Sequence, residues 1–121
     1  MICDGKLIYI EWHEAEIPWI KIFTKTPRKE LTDASDEERT AIFHAITVCE
    51  RTMLEYYKPE KINIASFGNY LPRLHIHIMV RFKDDSYFPE SAWGVKQRES
   101  RLQLPSRRGF EDLLIAAMRC G

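Results

Sequence analysis

The sequence predicts a single α+β domain with a mainly antiparallel sheet, one long helix and a second helix near the C-terminus. Three features lead there. Residues 72–82, "PRLHIHIMVRF", form the most apolar run and alternate in character. Two shorter runs rich in β-branched and aromatic residues, "KLIYIEW" and "WIKIFTK", lie only a few residues apart, as an antiparallel pair does. Between them and the alternating run sits one long segment with helical periodicity.

Lys6–Trp12 and Trp19–Lys25 read as strands joined by the short Glu14–Pro18 link. Pro27 and polar neighbours then break the pattern. Ser35 with Glu38 three residues on forms a capping box, and Asp36, Glu37 and Glu38 place negative charge where a helix dipole favours it. Ile42, Ile46, Cys49 and Met53 recur at helical spacing, which extends this helix to about Tyr57, with Pro59 ending it. The acidic cluster at its start is a solvated helix N-terminus rather than a metal site. Lys61–Phe67 reads as a third strand, Gly68 and Asn69 as a turn, and Arg73–Phe82 as an interior strand. Residues 83–94 are loop-like, and Val95–Ser106 is the weakest-ordered stretch. A last helix follows Ser106 as N-cap, with Phe110, Leu113, Leu114 and Ala117 as its apolar positions.

Composition limits the function. The chain has 121 residues, 45% hydrophobic, with 18 basic and 18 acidic side chains and zero formal net charge. That suits one modest core and argues against a protein that coats a nucleic-acid polymer. Cys3, Cys49 and Cys120 are odd in number and widely spaced, with no CxxC pair, so no disulfide framework is expected. No apolar run reaches membrane-spanning length and the start lacks the layout of a signal peptide, which makes a cytoplasmic location the default.

In an extended strand, side chains point alternately to opposite faces. Leu74, Ile76, Ile78, Val80 and Phe82 therefore share the face expected to pack on the long helix. Arg73, His75, His77, Met79 and Arg81 share the other. A pair of half-buried sheet histidines with local partners is the bland account, weakened by two of them on one face beside two arginines. Metal binding is a second account: His-x-His places two imidazoles roughly 6–7 Å apart at Cα, a spacing that suits zinc. It needs a third ligand from His13, His44, Asp84, Asp85 or a cysteine, none at a diagnostic spacing, and the arginines oppose a cation. The third account is an anion site with a nucleophilic imidazole. Arg73 and Arg81 supply charge, and Asn63, Ser66, Asn69 and the backbone of the turn supply donors for a phosphate.

The segment "NIASFGNYLPRLHIHIMVRFKDDSYFPESAWG", with "EIPWIKIFTKTPRKEL" before the helix, resembles the histidine-triad (HIT) superfamily of nucleotide hydrolases and transferases, in particular a bacterial branch. The resemblance spans most of Leu7–Gly94. It implies a HIT-like sheet of about five strands and one domain over residues 1–121, with its core at about 6–94 and a C-terminal extension at about 95–121. The family pattern has three histidines where this chain has Arg73, His75 and His77. Val80 replaces a proline before the arginine matched by Arg81. The resemblance gives His75 the role of nucleophile, His77 a phosphate contact, and Asn69 the place of a phosphate-binding Gln or Asn. Glu14 falls near an acidic residue that holds ribose hydroxyls, its bland alternative being a solvated turn residue. Trp12, Trp19 and Phe23 are candidates for a base pocket, some of them simply core.

By this resemblance the protein is a hydrolase or nucleotidyl transferase acting on a purine nucleotide or dinucleotide, as a phosphate ester, anhydride or phosphoramidate. It forms a nucleotidyl-histidine, needs no metal or other cofactor, and pairs as a homodimer. Arg73 either tightens phosphate binding and keeps His75 neutral, or marks a nucleotide-binding regulatory module with poor turnover. A His-x-His metal-binding protein is the remaining alternative.

Overall fold

The computed structural model describes residues 1–120. Its five strands are β1 (Cys3–Asp4), β2 (Ile8–Trp12), β3 (Trp19–Thr24), β4 (Lys61–Ala65) and β5 (His75–Arg81). All pairings are antiparallel, in the order β1-β2-β3-β5-β4. The histidine strand is interior, as its alternation predicts. The expected strands are each slightly shorter than their apolar runs, and the two-residue β1 was not anticipated.

Helix α1 (Asp36–Tyr57) begins with the predicted capping box. The Glu38 amide donates to Ser35 Oγ at 3.1 Å, and the Ser35 amide donates to Glu38 Oε1 at 2.8 Å. Two of the four otherwise unpartnered N–H groups at this end are thereby satisfied within the chain. Ile42, Ala45, Cys49 and Met53 of α1 meet Ile10, Ile20, Ile22, Ile76, Ile78 and Val80 of the sheet in one core cluster. The even-numbered face of the histidine strand thus packs toward the helix.

Helix α2 (Arg107–Met118) starts at the predicted cap, where the Gly109 amide donates to Ser106 Oγ at 3.1 Å. Its apolar stripe differs from the expected one. Phe110 and Leu114 are buried, with Ile115 and Met118 partly so, whereas Leu113 and Ala117 are exposed. All four expected positions are apolar, so their identity alone did not fix which side of the helix turns inward. Residues 95–105 have no helix or strand, as expected, but their start is tied down: the Gln97 amide donates to the Ser86 carbonyl at 2.7 Å.

The expectation for the cysteines is overturned. Cys3 and Cys120 form a disulfide, with Cα atoms 5.7 Å apart, and Cys49 is a free, buried thiol. Their separation of 117 residues hid the pairing, because distance along the chain says little about distance after folding. Helix α2 packs on α1 and reaches β1, which brings the two ends of the chain together. In the chain-entropy account a loop this long restricts the unfolded chain strongly. The Cys3→Ser variant is therefore expected to lose about 2–5 kcal/mol of stability in denaturant unfolding. An unchanged midpoint under non-reducing conditions would show that the bond contributes nothing.

Candidate active site

Strand β5 is buried along its whole length, on both faces. The odd-numbered face divides into two halves. Toward its C-terminal end, Met79 packs with Ile17 and Trp19, and the loop after β5 covers it through Ala92 and Leu102. Toward its N-terminal end, His75 and His77 open into a cleft of about 420 Å³. The cleft is also lined by His13, Trp19 and Lys21, by Phe67 to Leu71 of the loop before β5, and by Trp93 of the loop after it. Gly68 turns that first loop with φ of +72°, a conformation that a side chain strains.

Hydrogen bonds assign the protons of both imidazoles. His75 Nδ1 lies 2.7 Å from the Arg73 carbonyl oxygen. A carbonyl only accepts, so Nδ1 carries the hydrogen and, in the neutral ring, Nε2 holds the lone pair. His77 Nδ1 receives the Trp19 indole N–H at 3.0 Å. An indole only donates, so here Nδ1 holds the lone pair and Nε2 the hydrogen. Two histidines one residue apart are thereby held as opposite tautomers. Burial, with the charges of His75, His13 and Lys21, pushes the His77 pKa down to about 4. His13 is lowered by burial and by Lys21, against a smaller opposing effect of Glu14.

The expected site residues separate into two groups. His75, His77, Asn69 and Trp19 line the cleft. Ser66 is next to it, its hydroxyl donating to the His75 carbonyl at 2.7 Å. Phe23 stacks on His75 with centroids 5.0 Å apart, behind the cleft lining. Arg73 turns away: it donates to the Thr24 carbonyl at 2.7 Å and lies over the rings of Phe23 and Tyr9.

The other expected residues lie outside the cleft. Arg81 is 2% exposed, and its guanidinium donates to both Asp85 oxygens (2.9 and 3.0 Å) and to Asn63 Oδ1 (2.9 Å). Asp85 neutralises its charge, and Arg81 with Asn63 fills the covered half of the face. Burial works against ionisation of Asp85, yet the Arg81 bond and the amides of Phe82, Phe88 and Tyr87 hold its carboxyl below the usual range. Glu14 is exposed and accepts from Arg107 of α2 at 2.7 Å. Trp12 has the parity of Ile8 and Ile10, so it faces the helices, where it donates to Glu111 at 2.8 Å and packs edge-on to Phe110.

Sequence reasoning missed Lys21, Phe67, Tyr70, Leu71 and Trp93, and considered His13 only as a metal ligand. Lys21 was legible in part, because a partner strand to β5 with Lys21 opposite His77 sets the two on one face. Among the described residues, no group of three or more His, Cys, Asp and Glu is arranged to hold a metal ion. Nor is any helix among them long and apolar enough to cross a membrane.

The family model described as the HIT domain matches residues 13–84. A histidine triad protein from Bradyrhizobium japonicum superposes with a TM-score of 0.75 at 27% identity, covering 98% of this chain and 86% of that one. Histidine triad proteins from Sinorhizobium meliloti 1021 and Marinobacter aquaeolei VT8 share the fold at 21% identity, with TM-scores of 0.77 and 0.78. They cover 96% and 98% of this chain, and 87% of each of theirs is covered. None of the curated proteins matches the chain.

Two outcomes follow from this geometry. Replacing Asp85 with Asn leaves the Arg81 charge buried without its counter-ion and is expected to cost about 3–5 kcal/mol in chemical denaturation, a loss under 1 kcal/mol arguing against a buried pair. The second concerns pH. The unfolded chain takes up a proton at His77 below about 6.5, whereas the folded chain does so only near 4. Stability from this group is therefore complete above 6.5 and is lost as pH falls from 6.5 to about 4. Comparing His77→Gln with the parent chain across that window isolates it: the parent should lose more stability on acidification than the variant.

Proposed function

The chain belongs to the HIT domain family, and from that premise we propose that it is a nucleotide hydrolase or nucleotidyl transferase of the histidine-triad type. Its substrate is a purine nucleotide or dinucleotide carrying an ester, anhydride or phosphoramidate at the α-phosphate. The observation that carries this is the tautomer of His75: with Nδ1–H bound to the Arg73 carbonyl, a neutral ring has its lone pair on Nε2, and His75 lines the cleft.

In the proposed reaction, His75 Nε2 attacks the α-phosphorus in line, a P–N bond forms, and the bond to the leaving group breaks with its electron pair. The imidazolium so produced keeps its Nδ1–H on the Arg73 carbonyl, which stabilises the charge gained on attack. The departing group takes a proton from solvent or from a donor in the cleft. Water, or a second acceptor, then attacks phosphorus, the P–N bond breaks, and His75 is regenerated. His77 offers an Nε2–H to a phosphoryl oxygen, and Lys21 brings positive charge to the same cleft. Trp93, Phe67 and Tyr70 provide faces on which a base can stack.

In this proposal Arg73 takes the place of the first family histidine and serves His75 through its backbone carbonyl. Its guanidinium, held at Thr24, does not line the cleft. That one departure favours a second reading, a nucleotide-binding regulatory module with slow or absent turnover. A homodimer belongs to the proposal as well: β4 ends the sheet with an open edge, and its Ile64 is exposed.

One experiment separates the readings. The protein is mixed with a fluorogenic AMP ester, and release is followed together with the intact-protein mass. His75→Asn is expected to reduce release by at least about a thousandfold, since the amide nitrogen's lone pair is delocalised into its carbonyl and does not attack, while AMP affinity changes little. A variant that keeps its full rate ends the nucleophile assignment. Tight AMP binding without release in the parent chain would establish the regulatory module.

A further inference from the structure

We propose that Trp19 is a positioning residue that fixes the ring of His77 and commits its Nε2–H to the cleft as a hydrogen-bond donor. The inference deepens the proposed reaction, and its catalytic part rests on that reading. Its structural part does not.

The argument begins with what each group can do. An indole N–H donates and never accepts, so a contact of 3.0 Å from Trp19 Nε1 to His77 Nδ1 requires a lone pair on that nitrogen. A neutral imidazole has one hydrogen, which must then reside on Nε2. Among the described residues Nε2 has no hydrogen-bond partner, and His77 lines the cleft. The imidazole is therefore spoken for on one side and free on the other.

The donor itself is held rigidly. Trp19 is 6% exposed and packs in one cluster with Ile17 and Met79. His13 lies tilted against it at 4.1 Å between centroids, and Trp93 meets it edge-on at 5.0 Å. Its backbone is fixed at the start of β3, where the His13 amide donates to the Trp19 carbonyl at 2.8 Å and the Val80 amide to the Pro18 carbonyl at 2.9 Å. In the sheet, Trp19 stands opposite Met79, so its indole spans one step diagonally along β5 to reach His77. A residue with this packing and this one polar contact does more than fill space.

The groups facing His77 favour the same state. His75 adjoins it on β5, Lys21 stands opposite it on β3, and His13 approaches from the β2–β3 turn with centroids 6.3 Å apart. Among the described residues, none that lines the cleft carries a carboxylate. With burial, these neighbours keep His77 neutral, and the indole N–H stabilises the neutral ring further by occupying the site a proton would take.

The test is Trp19→Phe, which keeps an aromatic ring in place and removes the donor. Nitrogen-15 NMR reads each imidazole nitrogen of His77 directly and needs no substrate. In the parent chain Nδ1 should resonate as an unprotonated, hydrogen-bonded nitrogen and Nε2 as a protonated one, with a coupling across the Trp19–His77 bond. In Trp19→Phe the coupling disappears, His77 no longer holds its hydrogen on Nε2 alone, and His75 retains its own tautomer. For AMP-ester turnover, kcat should fall about tenfold with KM little changed, the scale of one neutral hydrogen bond. A His77 that keeps its single tautomer in the variant overturns the proposal. So does a parent spectrum with hydrogen on Nδ1, which decides the matter even where Trp19→Phe fails to fold. If the NMR changes appear but no chain turns over substrate, the positioning role stands and the proposed reaction fails.

Discussion

The structure depends on having its histidine strand buried on both faces. An interior strand between β3 and β4 has its backbone satisfied, but the odd-numbered side chains of β5 include a guanidinium and two imidazoles. Burying them requires partners. For Arg81 the partner is Asp85, 1% exposed, whose oxygens also accept the amides of Phe82, Tyr87 and Phe88. Four groups converging on one carboxylate fold residues 82–88 into a tight return. Arg98 ties the same turn from outside by donating to the carbonyls of Asp85 and Phe88. The chain that leaves this turn carries Trp93 to the cleft, where its ring meets those of His77, Trp19 and Phe67. An ion pair remote from the cleft thus fixes one of its walls.

At the other end of β5 the second arginine plays a comparable part. Arg73 reaches across to the Thr24 carbonyl and covers the Phe23 ring at 5.1 Å, while Tyr9, Phe23 and His75 stack in a row across three adjacent strands. With its side chain anchored, the Arg73 carbonyl is held where His75 Nδ1–H can reach it. Both arginines bracket the histidines and neither lines the cleft. Two flanking charges that look in sequence like anion ligands are, in the fold, the ends of the frame that sets the imidazoles.

Much of the fold was legible because the responsible interactions are local or periodic. The Ser35–Glu38 box is closed within four residues, and the alternation of residues 74–82 states which side chains face α1. The cleft was legible only where it draws on that same strand and its preceding turn. Trp12 shows a parity that was available and unused: Ile8, Ile10 and Trp12 alternate together, so a tryptophan in step with two isoleucines belongs to the helix side. Arg81 with Asp85 was obscured differently. Their spacing of four residues suggests nothing in a strand followed by a loop, and the pairing exists only because the chain turns back immediately after β5. Trp93 and the Cys3–Cys120 bond depend on loop paths and helix docking that no local pattern encodes.

The electrostatics of the cleft follow from these placements. With Arg73 and Arg81 engaged elsewhere, Lys21 is the one Lys or Arg among the residues that line it. Burial and that lysine push both His13 and His77 toward the neutral form. Positive charge in the cleft is therefore modest, and an oriented dipole, the His77 Nε2–H, supplies part of the remaining polar capacity beside the exposed Asn69 amide group of the lining. Fixed dipoles discriminate by position more sharply than a mobile ammonium does, because their favourable energy falls away when the acceptor moves out of line. Aromatic walls lower the local dielectric and strengthen each such contact. A cleft of this kind gains most from an anion whose charge is concentrated at one oxygen in line with the donor. The Trp19–His77 bond, which sets that line, accordingly bears more on what the site can do than the count of positive charges around it.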